Sequence, residues 1–252
     1  MTVYRYVRLG MLPARKVGSE WEILERDLQA FQAEPSAGAS HRQAPWSDRV
    51  LSRLLAGDEP GAWKVIEAAM AAGVDPPAVH TTIIGPAMRV VGDRWHAGEI
   101  TVADEHRASS IVGRLVGRLG PRFVKRGRRR GAVVIGTPPG ERHGLPVAMA
   151  ADRLRACGYE VVDVGCDLPV EDFAAAVAAH DPLAAVGVSV TDSACLDAAA
   201  SLVVALRAVT SAPVVVGGRG VVSADDARRT GADAWFADGM DLSDVIECAA
   251  RA

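Results

Sequence analysis

The sequence lacks the residues that mark several functional classes. Its four cysteines, Cys157, Cys166, Cys195 and Cys248, lie far apart with no CxxC pair, so it encodes neither a zinc ribbon nor a dithiol couple. They are expected to be reduced, mostly buried thiols. No charge-free apolar run of about 18 residues is present to span a bilayer. The amino-terminal MTVYRYVRLG has basic residues but no apolar segment of a secretory signal. Both absences point to a cytoplasmic protein without a membrane partner. A net charge of −3 leaves no basic excess for nucleic-acid binding by the whole surface. What is present is ordinary for a soluble globular chain: 252 residues, 49% apolar and 23% charged, enough for one sizeable core or, as expected here, two compact units.

The charge is unevenly spread. Residues 1–16 carry Arg5, Arg8, Arg15 and Lys16 and no acid, whereas Glu20, Glu22, Glu25 and Asp27 follow closely. Tyr4, Val7 and Leu9 have helical spacing, Gly10 ends it, and GSEWEI reads as a tight turn into a short strand. This order of basic helix, LGxLPARK turn and GxxWxI wing resembles the second half of a MerR-like or excisionase-like winged helix-turn-helix domain over residues 1–33. The first helix of that motif has no counterpart here, and Glu22 stands where such wings often carry a basic residue. The resemblance implies DNA contacts by Tyr4, Arg5, Arg8, Arg15 and Lys16. Residues 34–46 have linker composition.

Residues 47–120 read as a four-helix bundle. Ser47 is the expected cap of the first helix. Trp63, Ile66, Ala69 and Met70 mark the second, before Gly73. Val79, Ile83, Ala87, Met88, Val91 and Trp95 form the apolar stripe of the third, which puts Trp95 at its buried end. Thr101 caps the fourth, whose stripe runs through Ala108, Ile111, Val112, Leu115 and Leu119. Glu105 falls on that stripe, so its carboxylate points partly inward and needs a partner. Residues 121–131, PRFVKRGRRRG, hold six basic side chains among eleven and read as a solvated linker.

From residue 132 the period changes. AVVIG, EVVDVG, LAAVGVSV, APVVVGG and AWFA are β-rich apolar runs separated by helical segments, which implies a doubly wound, five-stranded parallel sheet of flavodoxin-like α/β type over residues 132–252. Ligands of such sheets lie beyond the carboxyl ends of the strands. The first loop, GTPPGERHGLP, is neither a GxGxxG fingerprint nor a Walker loop. A phospho-receiver is excluded by the missing acidic pair and by the absence of lysine from residue 131 onward. What the loops offer is Glu141, Arg142, His143 and Gly144 after the first strand, Ser189 and Thr191 after the third, and Gly217 and Gly218 after the fourth. A loop imidazole with a carboxylate two residues away suits metal ligation, the acid holding the second ring nitrogen. One histidine is too few for zinc, so the metal must bring its other ligands. Paired glycines allow a bulky group to approach the backbone, and the hydroxyls suit a polar tail. Singly, each feature also has a plainer meaning: a solvated histidine, a turn.

Together these residues resemble the cobalamin-binding domain, whose pattern runs DxHxxG, then SxL or SxT, then GG. Glu141 replaces the commoner Asp, and Pro146 stands at the last Gly of the first motif, where the first turn of the next helix can tolerate it. The resemblance implies that His143 is the lower axial cobalt ligand and that Ser189, Thr191, Gly217 and Gly218 form part of the groove for the displaced base. A preceding bundle with Trp95, nine intervening residues and Glu105-His106 resembles light-sensing transcription regulators of the CarH type. That likeness implies a non-enzymatic sensor in which Trp95 and Glu105 hold the adenosyl group of adenosylcobalamin. The same likeness implies that light removes that group, that His106 then ligates the vacated position, and that a homodimer or homotetramer changes assembly to regulate transcription or a partner. A photocobilin branch with an added biliverdin-like bilin is a further implication. The alternatives are a corrinoid methyl-carrier protein of a methyltransferase system, or a plain bundle with Trp95 in the core, Glu105 favouring the helix dipole and His106 solvated.

Overall fold

A computed structural model of the chain describes residues 15–17, 20–22, 45–125, 127–180, 182–237 and 240–251. The chain divides into Met1–Pro45 and Trp46–Ala252. In the first unit, β1 (Arg15–Val17) and β2 (Glu20–Glu22) pair antiparallel, with Lys16 opposite Trp21. The helix expected around Tyr4, Arg5 and Arg8 lies outside the described residues.

The second unit opens with α1 (Trp46–Leu55) and α2 (Glu59–Ala71). Ser47 is not the cap of α1: it lies inside the helix and donates its hydroxyl to the Ile83 carbonyl at 3.1 Å, tying α1 to the third helix. That third helix is not uniform. A turn at Pro76–Ala78 leads into a π-helical stretch, Val79–Ile84, before α3 (Gly85–His96). Pro86 has no N–H to offer the Thr82 carbonyl, and Gly85 donates to His80 O instead, so the ladder widens by one residue. α4 (Val102–Leu119) starts at a reciprocal capping box, in which Thr101 Oγ1 accepts from Asp104 N at 3.2 Å and Asp104 Oδ2 accepts from Thr101 N at 3.0 Å. Val50, Leu54, Ile66, Ile83, Val91, Ile111 and Leu115 form the bundle core, each contributing roughly 1.5–3 kcal/mol by burial.

The segment expected to be a solvated linker is exposed at most of its described residues but is anchored at Phe123, which is 1% exposed with its ring 4.6 Å from that of His80. Arg129 pairs with Glu160 at 2.7 Å, and Arg130 pairs with Glu247 and covers the Tyr159 ring.

The α/β part then runs β3 (Ala132–Gly136), α5 (Gly144–Cys157), β4 (Glu160–Gly165), α6 (Val170–His180), β5 (Ala185–Ser189), α7 (Leu196–Arg207), β6 (Val214–Gly217), α8 (Ala224–Thr230), β7 (Ala234–Phe236) and α9 (Leu242–Ala249). The sheet is entirely parallel in the order β4-β3-β5-β6-β7, the doubly wound arrangement expected. Alternation decides the layers. Val134, Val186 and Val216 pack on α6 and α7, and Val133, Ile135 and Val215 pack on α5 and α9. The order reverses beside β3, so the crevice opens at the carboxyl ends of β3 and β5. The bundle rests on α5 through Leu145, Ala148, Met149 and Ala156. All four thiols are free, but only Cys195 is buried, and Cys248 is exposed, fewer buried than expected.

Candidate functional site

The loop after β3 holds Glu141 and His143 at the amino end of α5. Glu141 is 1% exposed yet fully provided with donors. Oε1 lies 2.5 Å from His143 Nδ1 and 3.0 Å from His143 N, and Oε2 accepts from Thr191 N at 2.6 Å and Asp192 N at 2.7 Å. Burial raises its carboxyl, but the N–H groups of Asp192, His143 and Thr191 outweigh that and hold it below the usual range. An ionised acid at Nδ1 keeps the proton there and leaves Nε2 as the lone-pair nitrogen. The imidazole is 55% exposed, and Nε2 has no hydrogen-bond partner among the described residues.

The three expected loops meet. Ser189 ends β5 in register with Gly217, Val190 N donates to Gly217 O at 2.8 Å, and Thr191 reaches Glu141. Thr191 Oγ1 is buried without a partner, an orphan that a bound polar group would satisfy. The glycine pair also has a packing reason within the protein. A Cβ on Gly218, at φ +118°, would stand 2.3 Å from Val190 O, and one on Gly217 would stand 2.9 Å from Phe236 O. Both glycines therefore let backbone segments of the α/β part approach each other closely. Pro146 falls in the first turn of α5, where its missing N–H costs nothing. Gly144 begins that helix, and Arg142 is exposed with Nε 3.3 Å from Asp167 Oδ2. Two residues that brace this loop carry no motif by which the sequence reveals them: Asp167, in the turn after β4, and Thr137, directly after β3.

In the bundle, Trp95 is 41% exposed, not buried as expected, because it lies on the stripe but beyond the end of the core. It stacks edge-on to His96, their ring centroids 4.7 Å apart. Glu105 is not short of a partner either. Its Oε1 accepts from Ser109 Oγ at 2.6 Å, and its Oε2 lies 3.3 Å from His106 Nδ1. His106 Nδ1 donates to Val102 O at 2.7 Å, which leaves its Nε2 a lone pair on a ring 73% exposed. Asp93, two residues before Trp95, pairs with Arg219, one residue after Gly218, at 2.7 Å. Leu145, two residues after His143, packs near Gly113 of α4. The bundle therefore reaches the strand-end loops at two places. Two surface clefts, lined by Trp46, Arg49 and Lys64 and by Thr81, Arg153 and Asp241, involve none of these residues.

Among the described residues no three His, Cys, Asp or Glu side chains converge on one point. A metal at His143 must therefore arrive inside a group that supplies its other ligands, and the free Nε2 and the orphan Thr191 hydroxyl fit a corrinoid with a polar tail. Residues 46–119 and, separately, 131–246 match families described as B12 binding domain. The compact unit thus consists of two B12-binding modules, and the chain is a cobalamin-binding protein. It is 33% identical over 167 residues to the HTH-type transcriptional repressor CarH of Myxococcus xanthus, covering 64% of this chain and 54% of that one. It is 31% identical over 119 residues to trimethylamine corrinoid protein 1 of Methanosarcina acetivorans, covering 46% and 55%. The chain thus spans about half the length of these curated relatives. The Methanosarcina barkeri monomethylamine corrinoid protein has the same fold, with a TM-score of 0.69 at 21% identity over 82% of this chain and 97% of that one. No helix of the described residues is long and apolar enough to cross a membrane.

Proposed function

We infer that the chain is a cobalamin-dependent light sensor that regulates transcription or a partner through a change in assembly, and that it is not itself an enzyme. The observation that carries the reading is His106: a histidine beside Glu105 on the cap, with Nδ1 spent on Val102 O and Nε2 free. It offers a second ligand where a plain carrier needs none. His143, held by Glu141 through Nδ1, would hold the cobalt through Nε2. Ser189, Thr191, Gly217 and Gly218 line the groove for the displaced base, with Thr191 Oγ1 as its buried polar contact. Trp95, overhanging the end of the core with 41% of its surface exposed, would pack against the organic group of the cofactor. Bound adenosylcobalamin supplies a cobalt–carbon bond that light breaks. Once that organic group is lost, His106 Nε2 would be free to hold the metal from the cap, making the cap a two-state element that a homodimer or homotetramer would read. The likeness to the Myxococcus xanthus repressor supports transcription as the output, with Arg15 and Lys16 of the amino-terminal unit as DNA contacts beside Tyr4, Arg5 and Arg8.

The second reading, a corrinoid methyl carrier, is favoured by the trimethylamine corrinoid relative. Absorption spectra of the protein reconstituted with adenosylcobalamin, before and after green light, separate the two. A light-driven change that His106→Ala alters, while leaving binding in the dark intact, supports the sensor. A spectrum that light leaves unchanged favours the carrier, and bands in the far red mark an added bilin.

A further inference from the structure

Asp167, in the turn between β4 and α6, is the one non-glycine among the described residues with a left-handed backbone, φ 56°. Such a conformation strains any residue with a Cβ, Asp less than most, and glycine adopts it freely. An aspartate held there is expected to repay the strain through its side chain. Its carboxylate reaches back 27 residues in sequence: Oδ1 accepts from Gly140 N at 2.7 Å, and Oδ2 lies 3.3 Å from Arg142 Nε. Its backbone N donates to Thr137 Oγ1 at 2.8 Å and lies 2.9 Å from Glu141 O. Thr137, fully buried, donates the same hydroxyl to Glu141 O at 2.6 Å. Residues 137, 140, 141 and 142 are thus tied to one residue of a neighbouring turn, and the residue they flank, Glu141, is the one that orients the His143 ring. The Gly140 N–H, the strongest influence on it, holds the Asp167 carboxyl below the usual range.

We propose that Asp167 is the positioning residue of the site: its carboxylate strap on Gly140 and Arg142 fixes the loop in the shape that lets Glu141 present His143 Nε2 to an axial position. This rests on the cobalamin reading for its purpose, but the loop geometry it invokes belongs to the protein alone. Asp167→Gly separates the two parts of the claim, because it relieves the backbone and removes the strap. Asp167→Asn keeps a side-chain acceptor and a tolerance for the left-handed conformation.

The experiment uses the full chain and both variants. It measures thermal unfolding, amide exchange at Gly140 in protein without cofactor, and affinity for aquocobalamin by absorbance titration. The expected result has three parts. Asp167→Gly unfolds no lower than wild type, its Gly140 amide exchanges at least about tenfold faster, and its affinity falls about 10–100-fold; Asp167→Asn restores both readouts. A folded Gly variant with unchanged exchange overturns the proposal, as does faster exchange with unchanged affinity. Failure of the Gly variant to fold also overturns it, since Asp167 would then serve the fold and not the loop. Should wild type bind no aquocobalamin, the cobalamin reading fails, and the exchange comparison alone decides the strap: selective loss of protection at Gly140 in the Gly variant supports it, and equal exchange in all three proteins overturns it.

Discussion

His143 Nδ1 stands 2.5 Å from Glu141 Oε1, while the other carboxylate oxygen of Glu141 is held by the backbone of Thr191 and Asp192 some fifty residues away. One buried acid therefore does two jobs: it orients the only described histidine of the strand-end loops and joins the first loop to the third.

Glu141→Gln turns an acceptor of several N–H groups into a side chain that also donates. Buried donors left unsatisfied cost about 1–3 kcal/mol each, so denaturant unfolding should show a loss of that order. Cobalamin affinity should fall about 10–100-fold through the freed imidazole. Unchanged unfolding and affinity would mean that the carboxylate neither joins the loops nor supports the ligand.

His80 should make stability depend on pH. The ring is fully buried, neither nitrogen makes a well-formed hydrogen bond, the Met149 backbone gives it only a weak polar contact, and Asp152 Oδ2 is 3.9 Å from Nε2. Burial pushes its pKa down from 6.5 to about 4. The unfolded chain then binds a proton that the folded one refuses, so stability falls as pH drops from about 6.5 to about 4, by up to about 3 kcal/mol. Asp152, raised by burial against its pairing with Arg155, works in the opposite sense at the acid end. Urea unfolding across this range, repeated with His80→Leu, checks it: the variant should lose the slope.

Gly218→Ala should be among the worst single changes in the α/β part. The left-handed φ of 118° alone costs about 1–3 kcal/mol, and the added Cβ meets Val190 O at 2.3 Å. A melting temperature equal to wild type would show that the two loops separate without penalty.

The Asp93–Arg219 pair, by contrast, is half-exposed on both sides. A double-mutant cycle with Asp93→Asn and Arg219→Gln should return less than about 1 kcal/mol, and less still at high salt.

Most of the fold was legible because two periods dominate the sequence. The helical stripe through Ile111 and Leu115 and the valine runs of β3, β5 and β6 admit few packings, and each went where its pattern sent it. Reading failed where local pattern competes with geometry beyond the element. Trp95 keeps the stripe but outruns the core. Ser47 looks like a cap but is drawn to Ile83 O across the bundle. The π stretch at Val79–Ile84 needs the missing N–H of Pro86 to be counted against its neighbours. At the site, Glu141, His143 and Thr191 announced themselves as chemistry at strand ends. The roles of Asp167 and Thr137 are purely geometric, and sequence order hides which turn a loop leans on.

The most direct test of the account asks which atom meets the cobalt. Cobalamin in its Co(II) state carries an unpaired electron whose resonance is split by the nucleus of the axial nitrogen. Wild-type protein grown with isotopically labelled histidine and loaded with cobalamin should show the splitting of the labelled nucleus, and His143→Ala should not. Splitting that is unchanged by labelling in the wild type would contradict ligation by His143, and with it the role assigned here to Glu141.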